Sequence, residues 1–237
     1  MDARDPSAGA ATPADGTAKP AEWWPVGLAY AAFVLVGLIT GVGGVLLPAQ
    51  IDDYGVDKAT IGILFFTNSA GFVLAGASAG GLIARLGFRA ALVLGGGVLI
   101  AAALGTAARP PFALLVLVQV PVGYGIGVLE SVLNAYLAGL ANATTRLNRL
   151  HAFFGVGALL GPLLAAWVLR TAPWTVVWLV LAVSVVPLLA GFLAGYPRPG
   201  PVAAAVAGDG SAGPGPRSAP EPGPPRDPSR GRRVAGG

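Results

Sequence analysis

The sequence predicts an all-α, polytopic membrane protein with six transmembrane helices. The first observation is that 54% of the 237 residues are hydrophobic and only 11% are charged. The second is a mean hydropathy of +0.71, which is typical of integral membrane proteins and not of soluble domains. The third is a series of apolar runs that each reach the roughly 20 residues needed to cross a bilayer as a helix.

Six such runs can be delimited, and short segments that contain charged residues or proline separate them. Trp23 and Trp24 stand at the start of the first run, where interfacial aromatic residues belong, and Trp174, Trp178 and Tyr196 mark the two ends of the last. The predicted spans cover residues 25–48, 60–84, 90–108, 112–141, 147–169 and 174–195.

The two ends of the chain have a different composition. Residues 1–22 are small, polar and contain proline, and residues 198–237 are rich in Pro, Gly and Arg. Neither composition can build a packed core, so both are predicted to be disordered cytoplasmic segments around a transmembrane domain at 23–197. The first apolar run is too long for the hydrophobic region of a signal peptide and is interpreted as an uncleaved span.

Basic residues predict the orientation. Lys and Arg are enriched in cytoplasmic loops, whereas Asp and Glu contribute little to topology. The loops after spans 2 and 4 hold more unopposed Arg than the loops on the other side, and the two ends of the chain add to the same side. Both termini are therefore expected in the cytoplasm, with the protein in a bacterial inner membrane. The residues compared are Arg85, Arg89, Arg146 and Arg149 on one side and Lys58, Arg109 and Arg170 on the other.

The fourth span carries one polar stripe. At about 100° per residue, its polar and small residues fall within a sector roughly 80° wide. The stripe consists of Gln119, Gly123, Gly127, Glu130 and Asn134. A carboxyl group in hydrocarbon costs several kcal/mol unless it faces a cavity or a partner. Glu130 is therefore either structural, bonding a neighbouring helix, or part of a transport pathway.

Asn68 in the second span is a further pathway candidate, although an interhelical hydrogen bond is an equally good interpretation. The pathway set is then Glu130, Asn134, Gln119 and Asn68. Uncharged amides beside one carboxyl suit a neutral solute such as a sugar, because an anion would require a basic residue. Glu130 can also bind and release a proton as a cavity opens to either side.

These residues resemble the amino-terminal half of a major facilitator superfamily transporter. The loop after the second span in that family reads G-x-x-x-D-R-x-G-R-R/K, and residues 80–89 follow the same frame. The matching positions are Gly80, Arg85, Gly87 and Arg89. In the fifth span, Gly157, Gly161 and Pro162 resemble the family pattern G-x-x-x-G-P. The resemblance covers about residues 25–197.

The chain departs from the family pattern at several positions. Ala84 replaces the motif Asp, so the charge relay of the motif is not carried over. In the fourth span Gln119 stands at the Arg position of R-x-x-Q-G-x-G, while Gly123 matches. Two patches are similar to the fucose-permease-type sugar:proton symporters. They are E-S-x-x-N at Glu130, Ser131 and Asn134, and N-x-x-H-x-F-F-G at Asn148, His151, Phe153, Phe154 and Gly155.

The resemblance implies alternating access by two six-helix bundles, each a 3+3 inverted repeat in which span 4 corresponds to span 1. Six spans make one such half, and its polar stripe would otherwise face lipid. We expect a second half, as a homodimer or a separate chain, unless the product is truncated. The tail is expected to end the chain because it begins no seventh span.

The function expected from this sequence is proton-coupled uptake or efflux of a small polar solute by a half-size secondary transporter. The alternative is a non-transporting membrane subunit, or a fragment that needs a second half. An enzyme is not expected, because Ser131 lacks a nucleophile-elbow context and His151 stands at a helix start. With no Cys and one His, no metal or other cofactor is predicted. Much of the basic charge lies in the tail, so nucleic acid is not an expected partner; the bilayer and the solute are.

Overall fold

The computed structural model describes residues 23–196, which are helical throughout apart from short connections. The predicted terminal segments 1–22 and 198–237 lie outside the described residues. Five of the helices are long and apolar enough to cross a membrane. The elements are α1 (Trp23–Tyr54), α2 (Lys58–Ile61), α3 (Ile63–Ala107), α4 (Phe112–Ala138), α5 (Ala143–Leu169) and α6 (Trp174–Gly195).

α3 contains both the second and the third predicted span. Its 45 residues would measure about 68 Å if straight, more than twice the roughly 30 Å of a bilayer core. It is interrupted at Gly87, whose φ of 76° and ψ of 168° are not helical. Glycine adopts a positive φ without steric cost. The predicted loop over residues 85–89 is thus reduced to one non-helical residue between an N-terminal arm (63–86) and a C-terminal arm (88–107).

The two arms run in opposite directions along α4. On the N-terminal arm, Asn68 lies against Gly123 and Ala75 lies against Gly127. On the C-terminal arm the order is inverted, with Leu99 against Gly125 and Gly105 against Val118. Because residue numbers rise along α4 beside one arm and fall beside the other, the chain reverses direction at Gly87.

The prediction that the first span ends at Pro48 is wrong, because α1 continues to Tyr54 with Pro48 inside it. Proline removes one backbone hydrogen bond and disturbs the preceding turn. The last turn is nevertheless held by contacts that Asp53 and Tyr54 make with distant segments, described below. The other boundaries differ by a few residues or, for α6, coincide with the predicted 174–195.

Close backbone contacts join the helices in two groups, α4 with both arms of α3 and α1 with α5. A Cβ at Gly123 would overlap the carbonyl oxygen of Asn68, and one at Gly71 would overlap that of Val120. Between α1 and α5, a Cβ at Gly157 would overlap the carbonyl oxygen of Val34. Small residues permit this approach, which is how helices pack in membranes.

Asp53 joins three segments at one end of the bundle. Its carboxylate accepts hydrogen bonds from Arg109 Nε at 2.6 Å and from Trp174 Nε1 at 3.0 Å. Beside it, the Tyr54 hydroxyl donates to the Pro110 carbonyl oxygen at 2.8 Å. The hydrogen bond to Asp53 holds the pKa of the Arg109 guanidinium above its ordinary value. We call this group the Asp53 hub.

The opposite end of the bundle gathers the first and last described residues. The Tyr196 hydroxyl donates to the Pro25 carbonyl oxygen at 2.9 Å. The Tyr196 ring lies 4.8 Å from that of Tyr136, which is 5.5 Å from Phe88 beside the reversal at Gly87. The start of α1, the end of α6 and the reversal therefore share one face of the bundle, and the Asp53 hub occupies the other.

The contact at Gly123 predicts a stability effect of defined sign. In Gly123→Ala the new methyl meets the Asn68 backbone, which cannot move away as a flexible side chain can. We expect destabilisation of about 1–3 kcal/mol, the usual range for overpacking, measured as a lower melting temperature in detergent.

Gly76→Ala is the matched control on α3, since an added Cβ there meets nothing within 4 Å. Alanine is the better helix former, so this variant should be unchanged or stabilised by up to roughly 1 kcal/mol. Equal melting temperatures for the two variants would contradict the packing described here.

Candidate functional site

A cavity of about 470 Å³ lies between α1, the N-terminal arm of α3 and α4, with one residue each from α5 and α6. This volume is within the range of small-molecule sites. Most of its wall is apolar and includes three phenylalanines. The apolar and small lining residues are Ile39, Gly43, Leu46, Leu47, Leu64, Phe65, Phe72, Val73, Val122, Ile126 and Phe154.

The polar part of the wall is almost entirely uncharged. It is formed by Thr40, Gln50, Asn68, Ser69, Gln119, Glu130 and Trp178. Glu130 is the one ionisable group among these lining residues, and none of them is Lys, Arg or His. The hydroxyl of Thr40 donates to the Val36 carbonyl oxygen of its own helix at 2.9 Å. The remaining polar groups are therefore the ones available to a solute.

Glu130 is half-buried and lies toward the end of α4 that is farther from the Asp53 hub. His151 of α5 interacts electrostatically with its carboxyl group. His151 is exposed, and its ring packs edge-on against Phe33 at 5.7 Å. The carboxyl and the imidazole from the two sequence patches therefore lie within electrostatic range of each other.

The predicted stripe of α4 is divided by its neighbour. Gln119 and Glu130 line the cavity, and Asn68 joins them from the N-terminal arm of α3. Gly123 and Gly127 do not line it, because that arm crosses α4 at these two positions. The middle of the stripe is a helix contact, and of its five residues only Gln119 and Glu130 are open to a solute.

Asn134 completes the predicted stripe but does not line the cavity. Its side-chain amide donates to the Glu130 backbone carbonyl oxygen at 2.8 Å. A short polar side chain on a helix can bond the carbonyl four residues back, and this satisfies the amide within α4. Asn134 therefore acts on the helix beside Glu130 and not on the cavity itself.

Four polar residues that line the cavity were not predicted from the sequence: Thr40, Ser69, Gln50 and Trp178. Gln50 lies beyond the predicted end of the first span at 48, and Trp178 was interpreted only as an interfacial marker. Both are buried, with 5% and 6% of their surface exposed. The sequence signal for Gln50 was an amide side chain four residues before Tyr54, in the same helix. The signal for Trp178 was its position four residues after Trp174, one helical turn farther from the membrane surface.

The motif residues lie away from the cavity. Arg85 is exposed, Arg89 is half-buried, and both flank the reversal at Gly87. Gly80 faces open space on the exposed side of α3. Gly157, Gly161 and Pro162 lie on α5, where the two glycines contact α1 and Pro162 lies beside Gly41. None of them is among the lining residues.

This arrangement can hold a small solute that has both apolar and uncharged polar surface. Within residues 23–196, no group of three or more acidic or His side chains is placed to bind a metal ion. Among the lining residues, the Glu130 carboxyl is the one side chain that can bind and release a proton in the physiological range.

Comparison with known proteins identifies the family of this chain. Residues 28–228 match the family model of the Major Facilitator Superfamily. A relative in Saccharomyces cerevisiae (strain ATCC 204508 / S288c), Bypass of stop codon protein 6, is 26% identical over 150 residues. That match covers 62% of this chain and 30% of the yeast protein, so the chain spans less than a third of that relative's length in the aligned region. The family match covers most of the apolar helices described above, and the chain therefore belongs to the Major Facilitator Superfamily, whose members are membrane transporters.

Proposed function

We propose that this chain is a six-helix half of a secondary transporter that moves a small uncharged polar solute, such as a sugar, coupled to protons through Glu130. The observation that carries the proposal is a single carboxyl in a cavity of about 470 Å³ whose other polar groups are uncharged. A carboxyl inside a membrane protein normally marks a solute or proton pathway. The absence of a basic residue among the lining residues disfavours anionic solutes.

The reversal at Gly87 supports six membrane crossings in place of five. Each arm of α3 is then one crossing, and the six crossings form two sets of three. α1 and the first part of α4 both line the cavity, as expected if they occupy corresponding places in a 3+3 inverted repeat. A sugar:proton symporter of the fucose-permease type is the branch that the patches around Glu130 and His151 favour.

A second half is part of the proposal. In these described residues the cavity is bounded by helices of one bundle, and the N-terminal arm of α3 exposes large side chains beside it, including Phe66 and Val73. Alternating access requires a second wall. We propose a second copy of this chain or a separate six-helix chain as that wall; the alternative is a subunit that only modulates a partner.

The coupling role predicts a separation of two transport modes. In Glu130→Gln the side chain keeps its hydrogen-bonding capacity but cannot release a proton. Uphill, proton-driven accumulation in proteoliposomes should fall to equilibration, while solute exchange continues at a comparable rate. Asp57→Asn is the control: it also exchanges a carboxyl for an amide, lies outside the cavity, and retains a side chain that can cap α2. Accumulation by Glu130→Gln equal to that of the unaltered chain would assign Glu130 a structural role.

The proposed second half predicts the mass of the active particle. In nanodiscs that sustain solute exchange, mass photometry should give at least two copies of this chain or one copy with a partner chain. A monomer that transports at full rate would contradict the need for a second half. A dimer that binds solute without transporting it would favour the modulating subunit.

The orientation predicts a labelling pattern. The start of α1 and the end of α6 share the face of the reversal at Gly87, which Arg85 and Arg89 flank. Basic residues favour the cytoplasmic side. A cysteine-reactive, membrane-impermeant reagent should therefore label Lys58→Cys in intact cells and leave Arg85→Cys unlabelled until the membrane is opened. The inverse pattern would reverse the topology.

A further inference from the structure

One end of the cavity holds three buried polar side chains that make no hydrogen bond to any other side chain or backbone group of residues 23–196. Gln50, Gln119 and Trp178 are 5%, 6% and 6% exposed. Trp178 Nε1 makes no hydrogen bond within residues 23–196. The two amides likewise make none to other described residues. All three line the same cavity.

These three residues lie at the end of the cavity next to the Asp53 hub. Gln50 is one turn from Tyr54 on α1, and Trp178 is one turn from Trp174 on α6. The rings of Tyr54 and Trp174 are 6.0 Å apart, so Gln50 and Trp178 lie at similar depth beneath that contact. Gln119 is about two turns along α4 from Phe112, whose ring is 5.7 Å from Tyr54.

The Asp53 hub lies beyond this end of the cavity. Trp174 is 3% exposed, and its indole nitrogen donates to Asp53. Glu130 stands three turns farther along α4, about 16 Å from the level of Gln119. The unpaired amides and indole are therefore separated from the cavity's one carboxyl by the length of the cavity.

Buried polar groups are normally paired, and an exception requires an explanation such as a ligand or a catalytic role. The Trp178 indole can only donate, so it requires an acceptor atom. Each Gln side chain both donates and accepts. A hydroxyl group also does both, and neighbouring hydroxyls on one carbon skeleton would satisfy all three residues. A carboxylate would find no cation among the lining residues, because Arg109 of the adjoining hub does not line the cavity and is paired with Asp53. An ammonium group would be drawn to Glu130 at the other end.

We infer that Gln50, Gln119 and Trp178 form a hydrogen-bonding subsite for the hydroxyl groups of an uncharged polyol or sugar, at the end of the cavity away from Glu130. This rests on the proposed transport function and narrows its substrate class. It also separates the groups that recognise the solute from the group that carries the proton.

Binding to the full chain in nanodiscs tests this. The probes are a panel of neutral hexoses and hexitols, with gluconate and glucosamine as charged compounds of the same size. At least one neutral probe should raise the melting temperature and change the tryptophan fluorescence at concentrations up to about 10 mM, ten times the upper end of usual KM values. Neither charged probe should bind as tightly.

Three variants then locate the site. Gln50→Leu, Gln119→Leu and Trp178→Phe should each weaken binding of the neutral probe about tenfold or more, since a site built around substrate hydroxyls discriminates strongly through its polar partners. Without ligand, their melting temperatures should be unchanged or higher, because each variant removes a polar group that makes no hydrogen bond to another described residue. Trp167→Phe is the matched control, because Trp167 is 68% exposed on α5. This variant should bind the probe as tightly as the unaltered chain does.

The inference is overturned if no neutral probe binds, if gluconate or glucosamine binds more tightly, or if the three variants bind as well as Trp167→Phe. If a Gln→Leu variant melts at a lower temperature without ligand, a variant that keeps the amide shows whether the lost binding comes from the lost hydrogen bond. Gln119→Asn should retain part of the affinity for the neutral probe, and complete loss of binding in that variant would count against direct hydrogen bonding. Transport distinguishes this result from the proposed function. Hexose binding without transport would support the subsite and contradict the proposed transport function. Proton-driven transport of another solute class would support the transport function and contradict the subsite.

Discussion

The close approach of α4 to both arms of α3 is the contact on which the rest of the bundle depends. Within a bilayer, apolar side chains gain little by leaving lipid for protein, so helices associate through fit and backbone proximity. The glycines of α4 bring its backbone against Asn68 on one side and Leu99 on the other. That contact covers the middle of the polar stripe and leaves Gln119 and Glu130, on either side of it, open to the cavity.

The cavity that results keeps polar groups that the fold itself does not satisfy. An unpaired buried donor or acceptor costs on the order of 1–3 kcal/mol. Of the three residues Gln50, Gln119 and Trp178, the Trp178 indole nitrogen is such a fully buried donor within residues 23–196, and it lowers the stability of the bundle when the cavity holds no polar partner. A solute that pairs with it restores what was lost, and its binding is coupled to stability. Close packing elsewhere, as at Gly123 and Gly157, allows the bundle to tolerate these groups.

Hydropathy and interfacial aromatic residues predicted most of the helices from sequence, because span length and apolar composition are local properties. Two residues of the stripe, Gln119 and Glu130, line the cavity. Gln50 was missed because α1 persists through Pro48, and its last turn is held by an Arg 56 positions away. The Asn134 amide donates a hydrogen bond to a backbone carbonyl of its own helix. Helical periodicity cannot distinguish such a residue from one that lines a cavity.

The Asp53 hub has a consequence for how the chain is made. Its partners are separated from Asp53 by 56 and 121 positions along the chain. At usual synthesis rates of about 5–20 residues per second, Trp174 leaves the ribosome roughly 6 to 24 seconds after Asp53. Through that interval Asp53 can pair with Arg109, which is made before Trp174, but has no indole to bond. The link that Asp53 makes between α1 and α6 therefore cannot form until the start of α6 has been synthesised.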